Sequence, residues 1–189
     1  MKCGKPLTDE RQEYCDDCRK KAHSFTQGRS LLSYQGAVKK SLYRFKYANR
    51  REYAESYGDE IVRYLGDWIR QKQITKIVPV PLHPSRRRKR GYNQSALLAA
   101  YIGREMRIPV DEKLIYRVKK TVPQKALSVR ERMENLSGAF VVQKAIRRGE
   151  HILLVDDIYT TGSTADSIAI CLKKTEKCQI YVLTVAIGG

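Results

Sequence analysis

Two adjacent carboxylates, Asp156 and Asp157, stand directly after an apolar run and before a loop rich in hydroxyl groups. The apolar run, residues 152–155, reads Ile-Leu-Leu-Val and is typical of a strand buried on both faces. Carboxylate oxygens accept hydrogen bonds, so a neighbouring pair can hold both hydroxyls of a vicinal diol such as that of ribose. The pair also favours a positive charge that develops on a sugar ring. This pattern predicts a ribose-binding site with Asp156 and Asp157 as its catalytic carboxylates.

The loop that follows has the composition of a phosphate-binding site at the start of a helix. Its five residues are Thr160, Thr161, Gly162, Ser163 and Thr164. Backbone N–H groups at a helix N-terminus, with hydroxyls beside them, bind phosphate oxygens, and a glycine lets a ligand approach the backbone closely. The structural alternative is an Asx-turn at Asp157 and a helix cap at Thr161 or Ser163. The uninterrupted order of strand, carboxylates and loop favours the binding site.

Three cysteines near the N-terminus have the spacing of metal ligands. Cys15 and Cys18 form a CxxC motif, and Cys3 resembles the second half of another such motif. The missing partner would stand immediately before Met1, so we expect the chain to be truncated at its N-terminus. Tetrahedral zinc takes four ligands, of which these cysteines supply three, and His23 is the only imidazole nearby. Unmetallated cysteines on a frayed arm are the alternative.

These residues need a parallel sheet to position them, and the chain contains the elements of one. Strands and helices alternate, which indicates an α/β fold with a parallel sheet flanked by helices. The predicted strands are residues 25–33, 74–81, 113–118, 139–142, 151–155 and 179–187, and the predicted helices are 36–47, 53–69, 93–106 and 163–174. We expect a basic loop after Pro81, and a mobile loop or short helix over 119–137. Ligands of open α/β sheets bind outside the carboxyl ends of the strands, which is where residues 156–164 fall.

Apolar residues at helical spacing predict the buried faces of two helices. For the helix over 53–69 the predicted core positions are Tyr57, Ile61, Tyr64, Leu65, Trp68 and Ile69. For the helix over 93–106 they are Ala96, Leu97, Ala100 and Tyr101. Cys171 lies in an apolar string and is interpreted as a small core residue.

Basic residues are in large excess and are clustered along the chain. There are 37 Lys and Arg against 20 Asp and Glu, a net charge of +17, which favours polyanionic partners such as nucleic acid. One group is residues 86–90; a second is Lys39, Lys40, Arg44, Lys46, Arg50 and Arg51; a third is Arg117, Lys119, Lys120, Lys125, Arg130 and Arg132. Tyr34, Tyr43, Phe45 and Tyr47 interleave with the second group. These aromatic rings could stack on unpaired bases, or form the buried face of an amphipathic helix, and the charges could be simple solvated surface.

Composition bounds the class of protein. With 42% hydrophobic residues in 189, the chain can build a core. The longest apolar run, residues 96–102, has 7 residues, whereas a membrane span needs about 20. No apolar stretch of signal-peptide type follows the N-terminus. We therefore expect no membrane span and a cytoplasmic protein.

The segment over 152–164 closely resembles the signature of the type I phosphoribosyltransferases. Further motifs narrow the resemblance to the ComF family of competence proteins, and together they cover essentially the whole chain. These motifs are Tyr34-Gln35-Gly36, Arg44-Phe45-Lys46-Tyr47, Val78-Pro79-Val80-Pro81-Leu82-His83, Arg88-Lys89-Arg90-Gly91-Tyr92-Asn93-Gln94, Thr121-Val122-Pro123-Gln124, Leu127-Ser128 and Arg132-Met133-Glu134-Asn135. The cysteine-rich start is similar to the zinc finger of that family, with the first cysteine missing.

This resemblance implies a ligand, two metals and a set of contact residues. Asp156 and Asp157 would hold the ribose hydroxyls of phosphoribosyl diphosphate (PRPP), and the loop 160–164 its 5-phosphate, with Mg²⁺ on the diphosphate. The diphosphate would lie against the loop after Pro81, whose candidate residues are Leu82, His83, Pro84, Ser85, Arg88 and Arg90. Zn²⁺ would bind in a finger-like segment over 1–24, followed by a phosphoribosyltransferase-like domain over 25–189.

Three functions remain open at this point. The resemblance and the charge favour a competence factor that combines a PRPP-binding pocket with handling of single-stranded DNA during uptake, together with other DNA-uptake proteins. The second is an active phosphoribosyltransferase with a nitrogenous acceptor, which is a glycosyltransferase of the pentosyl-transfer class. The third is a ligand sensor that has kept the pocket and lost the chemistry.

Overall fold

The computed structural model describes residues 2–7, 9, 11–119 and 138–188. The strands are β1 (Gln27–Ser33), β2 (Lys76–Pro79), β3 (Ile115–Arg117), β4 (Phe140–Val142), β5 (His151–Tyr159) and β6 (Gln179–Ile187). The helices are α1 (Asp16–Lys20), α2 (Gly36–Tyr47), α3 (Tyr53–Gln71), α4 (Pro84–Arg90), α5 (Gln94–Met106) and α6 (Ser163–Thr175). Most of the segment expected as a mobile loop or short helix lies outside the described residues. So do four basic residues of the third group and the motifs quoted between 121 and 135.

The main sheet has four strands in the order β1-β6-β5-β2, and every neighbouring pair is parallel. β3 and β4 form a separate antiparallel pair. The expected α/β fold with a parallel sheet flanked by helices is therefore confirmed, and β5, the strand that leads to the two carboxylates, has neighbours on both sides.

Two apolar clusters lie on opposite faces of this sheet, because successive side chains of a strand point to opposite sides. Ile152 and Leu154 of β5 belong to the cluster that includes Leu172 of α6 and Cys3 of the N-terminal segment. Leu153 and Val155 belong to the cluster built with α2, α3 and α5. Burial on both faces explains why the strand reads as a continuous apolar run. Cys171 is only half-buried and packs beside the first cluster.

Two helical faces differ in detail from the sequence expectation. On α3, Ile61 and Ile69 are fully buried, but the Tyr64 side chain is 63% exposed. On α5, Ala96 is buried as expected, whereas Ala100 is exposed and Leu98, Ala99 and Ile102 form the core instead. The helix is rotated relative to the predicted face, because α5 packs against both α3 and the sheet and its apolar residues nearly encircle it.

The basic segment after Pro81 is a helix, not the expected loop. Pro84 stands in its first turn, the His83 side chain accepts a hydrogen bond from the Ser85 N–H at 3.2 Å, and Gly91 ends it with φ +79°. Proline at the start and a left-handed glycine at the end are the usual signals of a helix, and arginine and lysine favour helix between them.

None of the helices among the described residues is long and apolar enough to cross a membrane. The boundary at residue 24 between a finger-like segment and the following domain stays a prediction. The described N-terminal residues pack on the rest of the protein, since Cys3 and Cys15 share one apolar cluster with Phe25 and Tyr159.

Candidate functional site

A cleft of about 430 Å³ opens beside the carboxyl ends of β2 and β5. Its lining includes residues from both strand ends, from α2, α4 and α5, and from the loop before α6. These residues are Tyr34, Tyr43, Lys46, Tyr47, Val80, Pro81, Leu82, Arg86, Arg90, Gln94, Ser95, Arg117, Asp156, Asp157, Ile158, Thr160 and Thr164. The position is the usual ligand site of a parallel α/β sheet.

The two carboxylates lie within β5, which continues to Tyr159 and so extends four residues beyond the predicted end of the strand. Asp156 Oδ1 accepts hydrogen bonds from Ser95 Oγ and from the Asp157 N–H, each at 2.9 Å. Asp157 is buried and forms an ion pair with Lys46, whose Nζ lies 2.9 Å from its Oδ2. The parallel ladder with β6 holds the backbone of both residues in place.

The two carboxyl groups lie in different electrostatic environments. Burial, together with the neighbouring charge of Asp157, raises the pKa of Asp156 to about 7. Burial disfavours the charged form of Lys46, but the attraction of Asp157 outweighs this and raises the pKa of that lysine. Near neutral pH the site therefore holds a lysine–carboxylate pair next to a carboxyl group that is close to its titration midpoint.

The segment 160–164, which we call the phosphate loop, turns from β5 into α6. Gly162 has φ +73° and directly precedes the first residue of the helix, a backbone conformation that favours glycine. Thr161 Oγ1 and Ser163 Oγ are hydrogen-bonded at 2.8 Å. Thr160, Gly162, Ser163 and Thr164 line a small cavity of about 50 Å³, and Thr160 and Thr164 also line the larger cleft. The loop thus carries backbone N–H groups and hydroxyls next to the carboxylates.

Four basic residues that line the cleft form what we call the cationic wall: Lys46, Arg86, Arg90 and Arg117. Arg90 donates to Gln94 Oε1 and to Tyr47 Oη, both at 3.0 Å, and its guanidinium stacks 4.8 Å from the Tyr47 ring centroid. Burial and the nearby charge of Arg86 lower the pKa of Arg117 to about 10. Gln94 is 1% exposed, and its Nε2 has no hydrogen-bond partner among the described residues. This arrangement is suited to an anion with several acceptor oxygens.

The residues predicted to hold a diphosphate are only partly brought to the cleft. Leu82 and Arg90 line it. His83 caps α4, and its Nδ1 is hydrogen-bonded to Ser85 Oγ at 2.8 Å. Pro84 and Arg88 are not among the lining residues. Because α4 is a helix, consecutive basic residues point in different directions, and only Arg86 and Arg90, four positions apart, face the cleft.

Several residues that line the cleft were not predicted from the sequence to contact a ligand. Lys46 was grouped with the nucleic-acid residues, but only 18% of its side chain is exposed and it contacts Asp157. Gln94, Ser95 and Arg117 were not assigned to the site, and Arg86 was considered only as a member of the basic run 86–90. The i, i+4 spacing of Arg86 and Arg90 was a usable signal once the segment was recognised as helical, whereas nothing local in the sequence brings Arg117 of β3 to this point.

The remaining basic residues of the second group form an exposed basic face, comprising Lys39, Lys40, Arg44, Arg50 and Arg51. Lys39, Lys40 and Arg44 make no ion pair with any residue that the structure describes. Tyr43 and Tyr47 on the same helix are 61% and 57% exposed, and their rings lie 4.9 Å apart. Phe45 is fully buried. The alternative of a buried aromatic face thus holds for Phe45 alone on this helix.

Three thiols meet at the N-terminal segment. The Sγ atoms of Cys3, Cys15 and Cys18 all lie within 4.8 Å of one another, and those of Cys3 and Cys15 are 3.5 Å apart. Burial and hydrogen bonds with the other two thiols raise the pKa of Cys18 to about 12. Thiolates at this spacing fit three positions of a tetrahedral zinc site. His23 lies apart from this three-cysteine cluster, because its Nδ1 is 2.8 Å from Asp166 Oδ2 and its Nε2 is 3.4 Å from Tyr159 Oη.

The comparisons with known proteins agree with the resemblance seen in the sequence. No family model matches the chain. The chain is 32% identical to competence protein F of Haemophilus influenzae, in an alignment that covers 96% of this chain and 82% of that protein. It is 29% identical to the DNA utilization protein YhgH of Escherichia coli, in an alignment that covers 95% of this chain and 80% of that protein. A purine phosphoribosyltransferase from Pyrococcus horikoshii aligns at 16% identity over 69% of this chain and 73% of that one, with a TM-score of 0.43, and at that level it supports no inference.

The fold and the cleft define an α/β protein with a ligand site at the carboxyl ends of its parallel strands. The similarity to competence protein F covers almost the entire chain. The chain therefore belongs to the ComF family of competence proteins.

Proposed function

We propose that the cleft binds PRPP or a related ribose phosphate together with Mg²⁺, and that the protein handles single-stranded DNA during DNA uptake. The observation that carries the first part is that Asp156, Asp157 and two residues of the phosphate loop, Thr160 and Thr164, line one cleft together with the cationic wall. Carboxylates for a diol, N–H groups for one phosphate and guanidinium groups for a second anion match the three parts of such a ligand.

In this proposal each part of the ligand has a counterpart in the chain. The ribose hydroxyls donate to Asp156 and Asp157, and the 5-phosphate accepts from the N-terminus of α6. The diphosphate lies towards Arg86, Arg90 and Arg117, which line the same cleft. Mg²⁺ bound with the ligand would neutralise part of the diphosphate charge, and carboxylate oxygens are ligands that it prefers.

Lys46 competes with the ligand for the carboxylate of Asp157. Its Nζ occupies Asp157 Oδ2 at 2.9 Å, and it keeps that carboxyl paired while the cleft is without a diol. A ribose hydroxyl that binds Asp157 must share this oxygen or use the other one. Lys46 then remains close to the ligand, so that it adds a positive charge rather than leaving the site.

The DNA part of the proposal is supported by charge, exposure and relatedness. The net charge is +17, and on α2 the exposed Lys39, Lys40 and Arg44, which form no ion pair with the described residues, lie next to exposed tyrosines. Cations bind the phosphate backbone without regard to sequence, and aromatic rings stack on unpaired bases. Two relatives are named as a competence protein and a DNA utilization protein. Location in the cytoplasm and partnership with other uptake proteins are part of the same proposal.

Calorimetric titration of PRPP with Mg²⁺ tests the cleft directly. The variant Asp156→Asn/Asp157→Asn keeps the shape of both side chains and removes their charge, and we expect its affinity to fall by roughly 100-fold or more, since hydrogen bonds to charged groups contribute about 1.5–3 kcal/mol each. Asp59→Asn/Asp67→Asn on α3 changes the net charge equally, outside the cleft lining, and should bind as the parent does. Equal affinity of the first variant and the parent would overturn the assignment.

A second candidate is transfer of the phosphoribosyl group to a nitrogenous acceptor. The observation that favours it is the aromatic rim of the cleft, formed by Tyr34, Tyr43 and Tyr47, against which a heteroaromatic ring can stack. In this reaction the acceptor nitrogen forms a bond to the ribose C1, the bond from C1 to the diphosphate breaks, and the acceptor loses a proton. Release of diphosphate that depends on an added nucleobase would establish this activity. PRPP binding with neither turnover nor DNA affinity would instead favour a sensor.

A further inference from the structure

A buried polar cluster joins the N-terminal segment to the first turn of α6, and nothing in the proposed ligand site uses it. Its centre is Asp166, which is 4% exposed. One carboxylate oxygen lies 2.7 Å from Lys21 Nζ and 2.8 Å from His23 Nδ1, and the other accepts from the Ser24 N–H at 2.8 Å. Lys21, His23 and Ser24 thus all contact the side chain of Asp166.

On its other side the cluster supports the phosphate loop. The Asp166 N–H donates to the Gly162 carbonyl at 2.8 Å. A side chain at Gly162 would collide with Tyr159 Oη and would come within 2.9 Å of His23 Cε1. His23 and Tyr159 therefore pack against the loop backbone at its left-handed glycine, so that displacement of either ring changes the space available to the loop.

Towards the N-terminus the cluster continues into the cysteines. Cys15 caps α1 and Cys18 lies within it, and this helix ends at Lys20, next to Lys21. Cys3 and Cys15 share the apolar cluster that contains Tyr159 and Phe25, and the His23 ring stacks on Phe25 with centroids 4.7 Å apart. A short, packed route therefore runs from the thiols to the loop.

We propose that His23 and Asp166 are positioning residues of the phosphate loop. Through these two residues, a metal ion at the three-cysteine cluster and a phosphate at the loop each strengthen the binding of the other. The metal holds α1 and hence Lys21, His23 and Ser24; these residues hold Asp166; and Asp166, with His23 and Tyr159, holds Gly162 and the start of α6. The proposal rests on the proposed function of the loop as a phosphate site. Linkage requires the effect to be reciprocal: a metal that tightens phosphate binding is itself bound more tightly in the presence of phosphate.

The experiment measures this coupling in the full chain with Zn²⁺ and ribose 5-phosphate as probes. Affinity for ribose 5-phosphate is determined with and without Zn²⁺, and affinity for Zn²⁺ with and without ribose 5-phosphate. We expect both affinities to increase by the same factor, of about 5-fold or more. In Asp166→Asn the three thiols are unchanged, so one Zn²⁺ should still bind. The factor by which Zn²⁺ and ribose 5-phosphate increase each other's affinity should fall towards one. Asp17→Asn, on α1 but paired only with Lys5 among the described residues, is the matched control and should keep the factor.

Hydrogen exchange separates this proposal from the proposed function. Addition of Zn²⁺ alone should slow exchange of the amides over 162–166 in the parent protein and in Asp17→Asn, and not in Asp166→Asn. Slowed exchange without any binding of ribose 5-phosphate would contradict the proposed function and leave the mechanical connection standing. Binding of ribose 5-phosphate that is indifferent to Zn²⁺, with unchanged exchange in the parent, would overturn the connection and leave the proposed function standing.

A milder variant keeps the proposal testable if Asp166→Asn does not fold. Tyr159→Phe retains the ring in the core and removes only the hydroxyl that faces His23 Nε2 at 3.4 Å, and we expect it to lower the coupling factor in part. His23→Gln, read by Zn²⁺ stoichiometry, tests the other assignment of this histidine. It should retain one Zn²⁺ per chain, and loss of the metal would mean that His23 is a ligand and would overturn its role as a positioning residue.

Discussion

The exposed basic face and the cationic wall are built from the same residue types, and they differ in how each cation is held. On the basic face, Lys39, Lys40 and Arg44 extend into solvent and form no ion pair with the described residues. On the wall, Lys46 is tied to Asp157 and Arg90 to Gln94 and Tyr47. Lys46 lies on the same helix as Lys39 and Arg44, so the chain divides one basic helix between two environments.

This difference has consequences for binding. A cation that is fixed in a cleft before the ligand arrives loses little side-chain freedom on binding, and it acts where the solvent screens charge less. A cation on a mobile side chain suits a polymer whose phosphates can be met in many registers, at the expense of strong screening by salt. We therefore expect the wall to bind one small anion and the basic face to bind a polyanion.

Salt should separate the two surfaces most strongly. Affinity for single-stranded DNA should fall by roughly 10³ between 50 and 200 mM salt if about 6 phosphates are contacted, whereas affinity for PRPP with Mg²⁺ should change far less. Lys39→Glu/Lys40→Glu/Arg44→Glu should weaken DNA binding and leave PRPP binding intact, as measured by fluorescence anisotropy and calorimetry.

The matched control places the same charge reversals at the other end of the sheet. Arg148, Lys174 and Lys177 are exposed and line a shallow hollow there, so Arg148→Glu/Lys174→Glu/Lys177→Glu changes the net charge equally. Stacking on Tyr43 and Tyr47 should also favour single strands over duplex, by roughly 1–3 kcal/mol per stacked base. Equal loss in the two triple variants, or equal binding of duplex, would mean that DNA responds to net charge alone and that the basic face is no specific surface.

Within the cleft the comparison can be made on one short helix. Arg90→Ala removes a guanidinium that lines the cleft and orients Gln94, and we expect PRPP affinity to fall by roughly 10-fold or more. Arg88→Ala removes the same group from a position outside the cleft lining and should have little effect. Arg90→Lys keeps the charge but loses the two-pronged donor, so it should recover only part of the loss. If Arg88→Ala and Arg90→Ala weaken PRPP binding equally, the diphosphate does not use this face of α4.

The strands and the two carboxylates could be predicted because the information for them is local. The continuous apolar run of β5 requires burial on both faces, and parallel strands place their carboxyl ends at one edge. The bounds of α2 and β6 agree with the prediction to the residue. Asp156 and Asp157 were placed after the strand, whereas the ladder with β6 continues through both, because polar side chains at a strand end do not reveal where pairing stops.

The composition of the cleft could not be predicted because it depends on contacts distant in sequence. Lys46 reaches Asp157 across 111 positions, and Arg117 comes from an antiparallel pair outside the main sheet. Neither has a local pattern that distinguishes it from the surface cations around it. The basic run 86–90 was misread for a different reason, since charge density suggested a loop while the proline before it and Gly91 after it were the signals of a helix.

His23 shows why a side chain near the cysteines could not be assigned a contact from the sequence. It is the only imidazole near the cysteines in the sequence, and its Nδ1 is hydrogen-bonded to Asp166, which lies 143 positions away. A histidine next to a CxxC motif has no sequence signature that separates a ligand from a buried hydrogen-bonding residue. Only the fold brings the first turn of α6 to it.

The smallest expected effect concerns the stability of the free protein. Because burial and Asp157 raise the pKa of Asp156 to about 7, while a carboxyl in the unfolded chain titrates near 3.9, the folded state holds more protons between about pH 4 and pH 7. Stability contributed by the protonated carboxyl is complete below about pH 4 and is lost as the pH rises through 7. Asp156→Asn removes this loss, so it should unfold at a higher temperature than the parent at pH 8 and at nearly the same temperature at pH 4.

The opposite behaviour is expected of a carboxylate that is well paired, which sharpens the test. Partial burial disfavours the charge of Asp111, but Lys144 at 2.8 Å outweighs this and lowers the pKa of that carboxyl. The stability that this pair contributes is present above about pH 4 and is lost only as the pH falls further. Asp111→Asn should therefore lower the melting temperature by a similar amount from pH 5 to pH 8, while the gain of Asp156→Asn grows across the same range. If the two variants shift in the same direction at pH 8, burial and the neighbouring Asp157 do not raise the pKa of Asp156 in the free protein.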